Sequence, residues 1–154
     1  MKIPNLILTH LYIHGSLENL SSGVRFELKN RLSDFTIMSV ARIAIDDVNA
    51  PLQEVVLEWN SGDGGGEKSG GLFTWLFGGG SARSSEPVRV MATDINPQKP
   101  LHMPLRRHLR IELPTIAPLQ HGKHKISLVL LAEPIGEIEF TVKDSIKIVE
   151  RRTP

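Results

Sequence analysis

The chain contains no cysteine. That single absence removes disulfides, zinc–thiolate centres and thiol nucleophiles together, and it fits a reducing compartment. Charge of one sign is also missing: 18 Lys and Arg face 17 Asp and Glu, a net charge of +1. The balance gives no global pull towards nucleic acid or anionic lipid. Nowhere do about 18 apolar residues run together, the length a membrane-spanning helix needs. The opening MKIPNLILTHLYIHG is apolar but interrupted by Asn5, His10 and His14. It lacks a small-residue cleavage site and does not read as a signal peptide, so the cytoplasm is the expected location. There is no Gly-x-Ser-x-Gly elbow and no phosphate loop. Gly64-Gly65-Gly66-Glu67-Lys68-Ser69 has neither the spacing nor the strand–helix context of one.

What the chain does have is alternation. Val24, Phe26 and Leu28 interleave with Arg25, Glu27, Lys29 and Arg31, the pattern of a strand with one buried and one wet face. The same rhythm returns at Val55, Leu57 and Trp59, at Val88, Val90 and Ala92, and at Leu109, Ile111 and Leu113. It returns again at Ile126, Leu128 and Leu130, and at Ile138, Phe140 and Val142, continuing past a bulge expected near Asp144. Phe35, Ile37, Ala41, Ile43 and Ile45 form a further inward set. Leu6–Ile13, apolar on both parities, reads as a strand covered on both faces. Ser33-Asp34, Asp46–Pro51, Leu119–Gly122 and Glu133–Gly136 carry turn chemistry. Asp94–Pro104, with three prolines, reads as an irregular connection. About eight short strands with no helical run predict an all-β fold. The expected form is a single antiparallel β-sandwich of Greek-key or jelly-roll type, one domain over residues 1–154.

The rhythm breaks once, between two strands expected to be central. Residues 61–86 form a Gly-rich insertion that holds nine of the 13 glycines. Within it Leu72, Phe73, Trp75, Leu76 and Phe77 make an apolar run that water does not favour. Three covers are open: the domain's own core, a partner surface entered by the aromatic side chains, or a membrane surface. Little positive charge beyond Lys68 and Arg83 flanks the run, which weighs against a membrane.

Candidate chemistry elsewhere is thin. His10 and His14, four residues apart on one strand, would stand about 13 Å apart, too far to share a metal. His121 and His124 could meet His102 or His108, but no carboxylate in the sequence nearby completes a ligand set. Asp46 and Asp47 read as turn formers. Glu137 and Glu139 share one face about 6.6 Å apart, a separation open to paired-carboxylate chemistry, yet alternation puts them in solvent. Lys99, Arg106, Arg107 and Arg110, with His102 and His108, make a local basic cluster suited to an anion or an acidic partner. No catalytic residue, metal ligand or cofactor is assigned.

Two pieces carry a resemblance. They are Gly23-Val24-Arg25-Phe26-Glu27-Leu28-Lys29, continued by Ser39-Val40 and Ile43-Ala44-Ile45-Asp46-Asp47, and Leu109–Leu113, continued by Leu119-Gln120-His121-Gly122-Lys123-His124-Lys125-Ile126. Together they are similar to the small β subunits of bacterial C-glycoside deglycosidases and their uncharacterised relatives. The resemblance implies a β-sandwich bound to a larger barrel-shaped subunit that carries the metal and most of the chemistry. The Gly-rich insertion departs from that pattern, and no catalytic residue carries over.

The expected function is a non-catalytic accessory or assembly subunit. It would bind itself or a larger, sugar-active enzyme subunit through the aromatic loop and an exposed sheet face. Two alternatives stand beside it: the small subunit of a deglycosidase-like lyase with the active site at the subunit junction, and a peripheral membrane protein held by the loop. Nucleic acid is not an expected partner.

Overall fold

Ten strands, all paired antiparallel, build the computed structural model, which describes residues 5–60 and 87–146. They are β1 (Glu18–Asn19), β2 (Val24–Lys29), β3 (Phe35–Ile45), β4 (Val48–Asn49) and β5 (Val56–Asn60). After residues 61–86 come β6 (Pro87–Met91), β7 (Leu101–Met103), β8 (His108–Leu113), β9 (Gly122–Glu133) and β10 (Gly136–Ile146). One sheet runs β1-β2-β8-β5-β6; the other runs β10-β9-β3-β4, with β7 also paired to β3. The protein is an all-β sandwich. Phe26, Leu28, Leu57, Leu109 and Ile111 from one sheet meet Ile37, Ile43, Ile126, Leu128 and Phe140 from the other in one buried core.

Most inward sets are those the alternation predicts. Where they differ, the cause is local. Residues 6–13 do not form a strand: helix α1 (Asn5–Leu8) leads into a 3-10 turn over Thr9–Leu11. Leu8, Leu11 and Tyr12 stand at helical spacing and are all buried, whereas Ile7 is exposed. An apolar stripe of that spacing fills both parities of a hypothetical strand. His10 and His14 therefore do not share a strand face.

β3 departs from strict period two. Its pairing with β9 shifts register between Ile37 and Ser39 and again between Val40 and Arg42. Each shift adds one residue to β3 only, so the second restores the parity the first breaks. The inward set becomes Phe35, Ile37, Val40, Ile43 and Ile45, and Ala41 is turned out to solvent. By contrast β10 pairs with β9 without interruption from Gly136 to Ile146, so there is no bulge at Asp144. Asp94–Pro104 is more regular than its prolines suggest: Ala92–Asp94 closes a 3-10 turn, and Leu101 and Met103 are buried in the short strand β7.

The insertion joins β5 to β6, and β6 is an edge strand rather than a central one. Asn60 pairs directly with Pro87. Leu72, Phe73, Trp75, Leu76 and Phe77 lie outside the described residues.

Candidate functional site

One end of the sandwich collects the features that the sequence scatters. The β2–β3 turn, the β7–β8 turn, the β9–β10 hairpin and the Asn60–Pro87 pair all lie there. Asn30 is its pivot. The side chain is fully buried, and its amide donates to the carbonyls of Ser33 (2.8 Å) and Met103 (2.7 Å) while its oxygen accepts from Leu32 N (3.0 Å). Its main chain accepts from Arg106 N (2.7 Å) and donates to Arg107 O (2.9 Å). Asp34 adds a bond from Leu105 N at 2.7 Å. The β7–β8 turn is thus tied to the β2–β3 turn at four points.

That lashing brings Arg31 beside Arg106. Arg31 donates to His10 O at 2.9 Å, and Lys29 lies opposite His108 in the ladder. Arg106 occupies the third position of the turn Pro104–Arg107, closed by Arg107 N to Pro104 O at 3.0 Å, with φ +77°. A positive φ there marks a type II-like turn, where glycine is the usual residue; here it is an exposed arginine. Arg107 lies over the Trp59 ring, 5.9 Å from its centroid, and donates to His102 O at 3.0 Å.

The basic cluster read from the sequence is therefore divided. Arg106 and Arg107 belong to this end. Lys99 sits exposed in a separate turn whose backbone bonds to Asn96. Arg110 points from the outer face of the first sheet into a row that reads Glu27, Arg110, Glu58, Arg89 across β2, β8, β5 and β6. Arg110 Nε meets Glu58 at 3.1 Å, and Arg89 reaches both Glu58 (3.5 Å) and Glu112 (3.2 Å). Arg25 and Glu18 pair beside the row. Burial alone would raise the Glu58 carboxyl; the hydrogen bond and charge of Arg110, with Arg89, outweigh it and hold Glu58 below its ordinary value.

The opposite end holds polar clusters around Asp144 and His124. Asp144 points inward from β10 and is 8% exposed. Its carboxylate accepts from Tyr12 Oη (2.7 Å), Gly15 N (2.8 and 3.0 Å), Leu17 N (3.3 Å) and Ser145 N (2.8 Å). Because Tyr12 also bridges to Leu28 on β2, this carboxylate stitches the two sheets together through the segment before β1. Burial, then the bond to Asp144, pushes the Tyr12 hydroxyl well above its ordinary value. Next to Asp144 in the ladder is His124, whose Nδ1 meets Asp46 at 2.6 Å and whose Nε2 meets Gln120 O at 2.7 Å. A carboxylate and a carbonyl only accept, so both ring nitrogens donate and the imidazole is held as its cation. A carboxylate does stand beside His124, then, brought there by the β3–β4 turn. His102 and His108 lie at the other end of the sandwich and do not meet it.

Among the described residues no group of His, Asp and Glu is arranged to hold a metal ion, and no helix is long and apolar enough to cross a membrane. Glu137 and Glu139 stand exposed on the outer face of β10.

A family model described as hydroxymethylglutaryl-CoA reductase, N-terminal domain, matches residues 7–67 and 83–147. The chain belongs to this family. No curated protein matches the chain. The family overturns the similarity to deglycosidase small subunits, whose carrying residues all fall inside the matched segments. Their structure shows why they misled. Gly23 (φ +98°), the Asp46-Asp47 turn (φ +52° and +69°) and Gly122 (φ +125°) are turn geometries at strand ends, and any antiparallel sandwich needs such positions. The family takes its name from one domain of a larger enzyme. Its match omits residues 68–82, which contain the whole apolar run Leu72–Phe77, so that run is not part of what the family model describes.

Asn30 and Asp144 were not singled out from the sequence. Asp144 left a signal: it falls on the inward parity of Ile138, Phe140, Val142 and Ile146, where a carboxylate must find donors. Asn30, one residue past the end of β2, left none.

Proposed function

We propose that the chain is a non-catalytic accessory domain that assembles with a larger enzyme subunit, or with itself, and does not turn over a substrate alone. The observation that carries this reading is the family match, which spans most of the chain and names a domain of a larger enzyme. The position of Asn60 and Pro87 supports it. Asn60 and Pro87, between which residues 61–86 are inserted, stand at the end that bears Arg31, Arg106 and Arg107. Leu72, Phe73, Trp75, Leu76 and Phe77 are then anchors particular to this chain, set on a single domain over residues 1–154.

The test is the mass of the purified chain in solution, alone and mixed with the hydroxymethylglutaryl-CoA reductase of the same source. A complex or a homo-oligomer that weakens in Trp75→Ser is expected. A monomer in both cases overturns the reading, and flotation with liposomes that Trp75→Ser abolishes replaces it with membrane contact.

A further inference from the structure

The loop end of the sandwich presents cations without a cradle. Lys29, Arg31 and Arg106 stand on two turns and the strand end beside them, with Arg107 engaged over Trp59 and the exposed His10 bound through its carbonyl by Arg31. Among the described residues carboxylates share this end as well, Glu137 at the start of β10 included. Asp34 accepts from Leu105 N, Glu27 lies 3.9 Å from His108, and Glu133 is exposed opposite Thr36 on the other sheet. A compact anion such as phosphate is recognised by main-chain N–H groups converging on one point. Five N–H groups of the two turns are already committed: Asn30 N to Arg107 O, Leu32 N to Asn30 Oδ1, Leu105 N to Asp34, Arg106 N to Asn30 O and Arg107 N to Pro104 O. What remains for a partner is long, separately mounted side-chain cations.

Arg106 supplies a second, independent argument. At φ +77° the backbone favours glycine, and an L side chain there stores strain. The turn itself needs no guanidinium, because Asn30 and Pro104 hold it through main-chain atoms. A strained position occupied by an exposed charge is a mark of a recognition site.

We propose that this end is a docking surface for an acidic protein segment, a run of Asp or Glu side chains on the partner, with Arg31 and Arg106 as its two principal contacts. The proposal deepens the accessory-domain reading and rests on it.

The experiment titrates the full chain against a fluorescein-labelled deca-glutamate peptide, with a Gly-Ser peptide of equal length and inorganic phosphate as comparisons. The peptide binds, and binding weakens as salt rises. Arg106→Gly keeps the turn, since its φ suits glycine, and weakens binding about threefold, the effect of one exposed pair. Arg31→Glu with Arg106→Glu weakens it about tenfold or more. Lys143→Glu, on the outer face of β10, leaves it unchanged. Equal binding by the wild type and the Arg31/Arg106 variants, or displacement of the peptide by phosphate at equal charge, overturns the proposal. The same variants in the reductase mixture separate the two readings. A complex that ignores both substitutions removes the docking surface and leaves the accessory role. No complex at all, beside intact peptide binding, removes the accessory role.

Discussion

The Tyr12 hydroxyl donates to Asp144 Oδ2 across 2.7 Å, from the segment before β1 to the far end of β10. This contact joins residues 132 positions apart in the chain and closes the seam between the two sheets. Tyr12→Phe removes one of several bonds to the carboxylate and should destabilise by about 1–2 kcal/mol. Asp144→Ala strands the Tyr12 hydroxyl and the Gly15 and Leu17 amides, and should destabilise by about 3 kcal/mol or more. Urea unfolding of both variants measures the difference. Hydrogen exchange should show residues 8–17 losing protection first in Asp144→Ala.

The His124–Asp46 pair sets a pH window. The hydrogen bond donated to Asp46, then that to Gln120 O, raises the His124 value above that of a free imidazole. Its stabilisation is complete below about pH 6.5, the unfolded value, and is lost as pH rises through the higher folded value. For Asp46, burial pushes upwards, but the bonds from His124 and Lys125 N outweigh it and hold the carboxyl low. Its contribution is complete above about pH 4 and is lost as pH falls through the lowered folded value. The pair is therefore strongest between about pH 4 and 6.5. Denaturation midpoints of wild type and His124→Gln should converge on the alkaline side. A gap that persists unchanged to pH 9 contradicts the assignment.

Gly23 precedes β2 at φ +98°, and a Cβ there would lie 2.4 Å from Leu113 O and 2.5 Å from Pro114 Cα. Both obstacles are backbone and cannot swing away. Gly23→Ala should destabilise by about 3 kcal/mol or more, read as a shift of the thermal midpoint. Gly15→Ala, at φ +91° with open space around it, carries only the conformational part of that penalty and serves as the comparison.

Asn30→Ala leaves the Ser33 and Met103 carbonyls and the Leu32 amide without their partner, and should destabilise by about 2–4 kcal/mol. Amide exchange should rise in 103–107 and 31–34 together, because one side chain holds both turns. Exchange that rises in one turn only would show that the turns are held independently.

The sandwich was legible wherever a strand is covered on one face. β2 and β8 follow strict alternation because nothing interrupts the ladder between them, and β9 does so because the extra residues of its ladder with β3 all lie on β3. Legibility failed where a second geometry produces the same letters. Leu8, Leu11 and Tyr12 satisfy a helix and a doubly covered strand alike. The two bulges of β3 cancel in parity, so the exchange of Ala41 for Val40 leaves no trace outside the stretch between them. Arg110 could not be separated from Arg106 by proximity in sequence, because its partner Glu58 lies on β5, 52 residues away. Asp46 and His124, 78 residues apart, meet only because β3 and β9 pair.

The Asn60–Pro87 pair closes the β5–β6 ladder where the chain leaves and rejoins it. Chain entry and exit are neighbours, so the ladder of β5 and β6 is indifferent to what is spliced between them. A two-residue Asn-Gly tip would complete the sheet as well as the native 26 residues do. The pairing of β5 with β6 accordingly sets no length for the segment between them, and the core keeps its register whatever that length is.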